Sequence, residues 1–296
     1  MAFFDRVATA PISWGICEVP GWGHQLSVDR VLGEMRDLGF TQTELGSLGW
    51  LPTSPDALST TLGQSDLGLL AGFVPLVLHD SNERAASETA AIEAAELLAK
   101  AGARYYNTAP VMSWDWAPRQ RLDDVQWANL VDGLAMVEQI CQERGLMQVV
   151  HEHVGIAVET AEDVQRLVDS SPVKFVLDTA HLALGGTDPL DFATKYPDRV
   201  GLAHLKDMSV PLAEAFTASQ GTDAPISLMH SVQDGLFPAL GAGDLPIAEV
   251  IQTLERAGFN GWYVVEQDCA ITGEMPAKGD GPMRHVSASV QFLESL

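Results

Sequence analysis

The stretch Arg144-Gly145-Leu146-Met147-Gln148-Val149-Val150-His151-Glu152-His153 decides the fold. A glycine closes a helical pattern, an apolar run the length of one buried strand follows, and the run stops in histidines and a carboxylate, where a core would not place them. Upstream, Leu130, Leu134, Val137 and Cys141 fall 4, 3 and 4 residues apart on one helical face. Gly145 then suits the left-handed position that ends such a helix. The same punctuation recurs at Gly39, Gly68, Gly102 and Gly258. Runs that follow these glycines, such as 69–78 and 147–150, are apolar without alternation, as parallel strands covered on both faces require.

Alternating helices and strands predict a parallel sheet. Strands are expected at 7–12, 41–45, 69–76, 104–107, 147–151, 173–177, 200–204 and 261–266. Eight such units imply an α/β fold closed as a (β/α)8 TIM barrel. No Pro/Ser-rich linker interrupts the chain, so residues 1–296 are read as one domain. Neither Gly-x-Gly-x-x-Gly after the first strand nor Gly-x-x-x-x-Gly-Lys-Ser/Thr occurs, which removes the signature of nucleotide-binding open sheets. Two irregular segments, 13–27 and 208–246, are too long to be plain connections and are expected to border the site.

The 40 acidic and 17 basic residues give a formal charge of −23, which repels nucleic acid phosphates and anionic membrane surfaces and favours a neutral small-molecule substrate. The longest apolar run, 67–78, contains Gly68, Gly72 and Pro75 and is too short to span a bilayer. Met1-Ala2-Phe3-Phe4-Asp5-Arg6 lacks the basic and apolar regions of a secretory signal, so the cytoplasm is the expected compartment. The three cysteines, Cys17, Cys141 and Cys269, form neither a disulfide framework nor a zinc-finger spacing, and Cys141 is expected in the core. A homo-oligomer is compatible with the sequence.

In a barrel the active site lies at the C-terminal ends of the strands, and four of the expected strands end in His151, Asp178, His204 and Glu266. Strand alternation places His151 and His153 on one side, with Glu152 on the other. From the residues alone this is either a metal centre or a set of hydrogen-bonded core histidines. A mixed imidazole and carboxylate set suits Mn²⁺, Co²⁺, Fe²⁺ or Zn²⁺ better than Ca²⁺ or Mg²⁺. Lys206 shares a side with His204 and either offers an ammonium to substrate or pairs with Asp207 or Asp178. Glu44 reaches the same mouth or forms a rim salt bridge. Trp14 and Trp22 either wall a sugar-like ring or pack in the core; His79 is equally open between substrate contact and structure.

At these residues the chain resembles the xylose isomerase-like barrel family of sugar isomerases, epimerases and dehydratases. Leu-Asp-Thr-Ala-His, His-Leu-Lys-Asp and Val-Val-Glu-Gln-Asp follow one another at 177–181, 204–207 and 264–268. The resemblance implies a divalent metal at the barrel mouth, held by His151, Asp178, His204 and Glu266, with Mn²⁺ or Co²⁺ first and Zn²⁺, Fe²⁺ or Mg²⁺ as alternatives. It also gives His181 a place where the family touches substrate oxygens, and as a near-neutral titrating group His181 fits proton transfer, with Lys206 or His153 as partners. Where many relatives carry Glu-x-His, this chain has His151-Glu152-His153. In that feature, and in Ala10-Pro11-Ile12-Ser13-Trp14, it is similar to the inosose dehydratases of the family. The resemblance implies a hydro-lyase acting on a cyclic polyol ketone. A sugar isomerase or epimerase, a keto-glycoside β-eliminating lyase and a non-catalytic sugar-binding barrel are the alternatives.

Overall fold

The computed structural model describes residues 3–296; Met1 and Ala2, the first of the six residues read for a targeting signal, lie outside them. Eight strands close into one barrel in sequence order, β1 (Val7–Thr9), β2 (Gln42–Glu44), β3 (Gly68–Leu76), β4 (Tyr105–Pro110), β5 (Met147–His151), β6 (Lys174–Asp178), β7 (Val200–Leu205) and β8 (Trp262–Val265). Every neighbouring pair is parallel, including β1 with β8. Consequently all eight C-terminal ends open on one mouth.

The helices between the strands are α1 (Val28–Asp37), α2 (Pro55–Gly63), α3 (Arg84–Lys100), α4 (Asp124–Gln142), α5 (Ala161–Ser170), α6 (Thr179–Leu184), α7 (Pro189–Lys195), α8 (Val210–Ser219), α9 (Leu228–Gln233), α10 (Ile247–Arg256) and α11 (Pro282–Glu294). Local chemistry starts and stops them. Asp123 and Gln126 form a reciprocal capping box on α4, Thr160 and Asp163 another on α5, each satisfying backbone N–H groups that a helix start leaves free. The predicted stripe Leu130, Leu134, Val137 and Cys141 is buried against the barrel. Gly39, Gly102, Gly145 and Gly258 have the expected positive φ. Gly68 does not: Asp66 takes the left-handed turn, and Gly68 opens β3 where an added Cβ would meet the Gln42 side chain at 2.5 Å.

The eight strands lie where the sequence predicts, with shifted ends. β1 stops at Thr9 because Pro11 begins a 3-10 turn over Pro11–Trp14, whereas β4 runs on to Pro110. A larger correction concerns segment 208–246, which is not structureless but carries α8 and α9. No helix among the described residues is long and apolar enough to cross a membrane.

Alternation along the strands sorts the barrel interior into layers. Val149, Val176, Leu202 and Val264 join Trp262, Tyr105 and Ala8 in a cluster enclosed by the sheet. The intervening residues Val150, Phe175, Leu177, Ala203 and Val265 face outward into the core shared with the helices. Two residues beyond each inner apolar position stand His151, Asp178, His204 and Glu266, so the same side of each strand that packs the floor turns ionisable at the mouth.

Candidate active site

The register sets the mouth. Asp178 pairs with His204 across β6 and β7, and His204 with Val264 across β7 and β8; the Glu266 N–H donates to the Leu205 carbonyl and carries the pairing past β8. His151 Nε2 therefore lies 3.6 Å from Asp178 Oδ2, which lies 3.8 Å from His204 Nδ1, itself 3.0 Å from Glu266 Oε2. All four side chains are buried. Among the described residues, His151 Nε2, Asp178 Oδ2 and His204 Nδ1 have no hydrogen-bond partner, although buried polar atoms almost always find one.

The remaining atoms of these groups are held in place. Asp178 Oδ1 accepts the N–H groups of Ala180 and His181, capping α6, and the Asp178 N–H donates to Glu152 Oε1. Glu152 thus straps β5 to β6 from the outward side; burial, reinforced by the Asp178 charge, pushes its carboxyl well above the usual range. His204 Nε2 lies 2.9 Å from Glu44 Oε1. The strand-end pattern leaves Glu44 open between mouth and rim; it is a buried partner of His204, facing the same cavity.

Lys206 is fully buried, and its Nζ lies 2.7 Å from Glu266 Oε1, 2.7 Å from Asp268 Oδ1 and 3.5 Å from Asp178 Oδ2. Its expected pairing with Asp207 does not occur, because alternation turns Asp207 the other way, where it accepts the N–H groups of Met208, Gly241, Gly243 and Leu245. The Lys206 ammonium donates to His181 Nε2 at 2.9 Å. Burial opposes its charge, but Asp178, Asp268 and Glu266 outweigh burial and hold it protonated. Burial likewise opposes charge on His204, and Glu266 and Glu44 outweigh it. Burial also works against ionisation of Asp178, and Lys206 and His151 together offset it.

His181 departs from the near-neutral titration expected of it. Burial, then the neighbouring His153, Lys206 and His151, drive its pKa well below the ordinary value, so the imidazole is neutral. His153 is lowered to about 4, first by burial and then by His151 and Lys206. Its Nδ1 donates to the Val154 carbonyl at 2.7 Å, leaving Nε2 as the acceptor nitrogen, and its ring lies 3.7 Å from that of His181.

A cavity with about 710 Å³ of free space, counted out to its open mouth, sits over this group, within the roughly 300–1,000 Å³ common for small-ligand sites. His151, His153, His204, Glu44, Glu266 and Asp268 line its floor, and Ile12, Ile16, Trp22, Phe73, Trp116 and Leu228 its walls. The first loop borders it as expected, and Leu228 of α9 brings in the second. Trp14 does not line it: the 3-10 turn buries its ring completely, and its Nε1 donates to Glu34 of α1 at 2.8 Å. His79 also stands outside, its carbonyl accepting from Asn129 of α4 while its Nδ1 has no partner.

Three contributors escape a reading of strand ends. Asp268 had a signal, since Val264, Glu266 and Asp268 continue one alternation. Phe73 and Trp116, stacked at 6.4 Å with 8° between planes, had none: Phe73 lies within a continuous apolar run and Trp116 in a loop.

The sequence matches the family described as Xylose isomerase-like TIM barrel over residues 25–296. It is 34% identical to a protein named inosose dehydratase from Geobacillus kaustophilus, over 90% of this chain and 89% of that one. It is 28% identical to inosose dehydratase 2 of Bacillus cereus, over 89% of each. A solved structure of the IOLI protein with a binding zinc atom superposes with a TM-score of 0.70 at 16% identity, covering 98% of this chain and 97% of that one, a likeness of fold. With the closed eight-stranded barrel and the ionisable mouth, this match makes the chain a member of the xylose isomerase-like TIM barrel family.

Proposed function

We propose that this protein is a metal-dependent hydro-lyase that removes water from a cyclic polyol ketone of the 2-keto-myo-inositol type, working as one domain over residues 1–296. The observation that carries the metal is the trio of buried atoms His151 Nε2, Asp178 Oδ2 and His204 Nδ1, which make no hydrogen bond among the described residues. Their residues offer donor atoms all within 4.8 Å of one another, and Glu266 Oε2 adds a fourth at 3.0 Å from His204. This donor set fits a divalent transition metal, with Mn²⁺ or Co²⁺ first and Zn²⁺, Fe²⁺ or Mg²⁺ as alternatives. The substrate class is supported by the 34% identity to an inosose dehydratase along nearly the whole chain.

A divalent ion held there supplies Lewis-acid polarisation of a ketone. The protein's own groups do the rest. His181, kept neutral by burial, takes the proton next to the ketone once Lys206 turns its ammonium from Nε2 toward the substrate oxygen. Lys206 then lies where negative charge develops, in a water-poor pocket that strengthens its effect. His153, with Nε2 free to accept and its ring against His181, is the partner that orients or relays. Phe73 and Trp116 face the C–H surface of a cyclic polyol and exclude water from the reacting carbons.

Elemental analysis is expected to find one divalent ion per chain, and the chelated protein, restored with Mn²⁺ or Co²⁺, is expected to convert 2-keto-myo-inositol to a product lighter by one water. A product of unchanged formula carrying solvent deuterium at carbon would replace this reading with an isomerase or epimerase.

A further inference from the structure

Loss of water requires a proton for the departing hydroxyl, and the groups already placed do not provide it. His181 and His153 are neutral through burial, and the Lys206 ammonium is shared among Glu266, Asp268 and Asp178. One more carboxyl lines the cavity: Glu18, on the first loop, between the lining residues Cys17 and Val19. The other carboxyls of the lining are engaged, Glu44 and Glu266 with His204, Glu266 and Asp268 with Lys206. Among the described residues, only its own backbone N–H hydrogen-bonds to the Glu18 carboxyl.

Resting on the hydro-lyase reading above, we propose that Glu18 is the general acid that protonates the β-hydroxyl as it leaves. Glu18 comes from the loop after β1 and lines the cavity together with Glu266 and Asp268 of the segment after β8. The electron pair left at carbon when His181 takes the proton forms the new double bond. The C–O bond breaks with both its electrons on oxygen, which takes the carboxyl proton and departs as water. Glu18 is left as a carboxylate and His181 as an imidazolium; His181 gives its proton to solvent while Glu18 regains one, so the net change is one water with no oxidant or reductant.

The protonation state agrees with this role. Burial, followed by the charges of Glu266 and Asp268, raises the Glu18 carboxyl to about 7. The neighbouring Cys17 thiol, itself pushed up by burial, adds no charge at neutral pH. A carboxylic acid poised near the working pH is matched to giving up a proton in a transition state.

The test compares two leaving groups in metal-loaded wild type, Glu18→Gln and Glu18→Asp, using 2-keto-myo-inositol and its analogue with fluorine in place of the departing hydroxyl. Fluoride needs far less help from an acid than hydroxide. Glu18→Gln is expected to lose about 10²–10⁴-fold in kcat for water loss, while fluoride release stays within roughly tenfold of wild type and metal content and circular dichroism are unchanged. Glu18→Asp is expected to recover part of the water loss. Equal falls for both leaving groups, or an undiminished rate of water loss, would overturn the acid role while leaving the hydro-lyase reading intact. Wild type inert toward both compounds would overturn that reading and Glu18 with it.

Discussion

Inside the barrel, Val149, Val176, Leu202 and Val264 make one layer, and His151, Asp178, His204 and Glu266 make the next, two residues further along the same four strands. Both layers are buried and share one register. The lower is closed by Trp262 and Tyr105, with the Arg104 guanidinium 5.7 Å over the Trp262 ring, and its atoms gain by leaving water. Among the described residues, three atoms of the upper layer are buried without a hydrogen bond, with only ionisable neighbours at 3.0 to 3.8 Å beside them, an arrangement that works against stability. The lower layer thus supplies the rigidity with which the upper one holds unsatisfied groups at fixed separations, and a single strand geometry serves both.

The sharpest way to break the comparison is to substitute both layers on one strand. Asp178→Ala removes a donor atom and the cap of α6, and is expected to abolish metal retention and lower turnover by about 10³-fold or more. Full occupancy by elemental analysis would refute the proposed ligand. Val176→Ala, two residues earlier, is expected to cost about 2 kcal/mol of unfolding free energy through lost burial and a small cavity, while the folded enzyme keeps its metal and kcat. An intermediate case is Glu44→Gln, which keeps an acceptor for His204 Nε2 but removes the charge. Metal affinity by chelator competition is expected to weaken by about 10–100-fold, as for other groups that orient a ligand from behind; an unchanged affinity would return Glu44 to the substrate-contacting role.

The smallest effect separates the layers by pH. His153 is held near 4 in the folded protein against about 6.5 when unfolded. Between those values the unfolded chain binds more protons, so this group's contribution is present above about pH 6.5 and is lost as pH falls toward 4. Denaturant titrations of the metal-free protein should show stability rising with pH across that window, by at most about 1.4 kcal/mol per unit from this group. His153→Gln should flatten the slope, and Val176→Ala should leave it as it is.

Much of this arrangement was legible because it rests on periods of 2 and 3.6. The helix–glycine–strand unit at 130–151 gave the alternation, and the inward step from Val149 to His151 gave the mouth. Glu44 and Asp268 obey the same alternation. What the sequence concealed depends on turns. Trp14 is turned into the core by a 3-10 turn that an extended reading of 7–12 misses, and Trp116 reaches the cavity wall with φ 59, a conformation a bulky residue seldom adopts. The state of His181 was hidden for another reason: its displacement comes from burial among His153, Lys206 and His151, which the ends of β5 and β7 bring against it.

Asp207 gathers four backbone N–H groups, from Met208 at the start of the second excursion and from Gly241, Gly243 and Leu245 at its end, while Asp244 accepts from the Val210 N–H in return. The two ends of the segment are therefore tied to β7, and the chain between them is a closed appendage. Lengthening such an appendage changes its closure entropy by only about 0.6 kcal/mol per doubling. Its exposed tip at 220–225 is accordingly a place where a peptide tag or reporter domain can be grafted with the floor of the cavity undisturbed, and where natural insertions would reshape the rim without touching the groups beneath it.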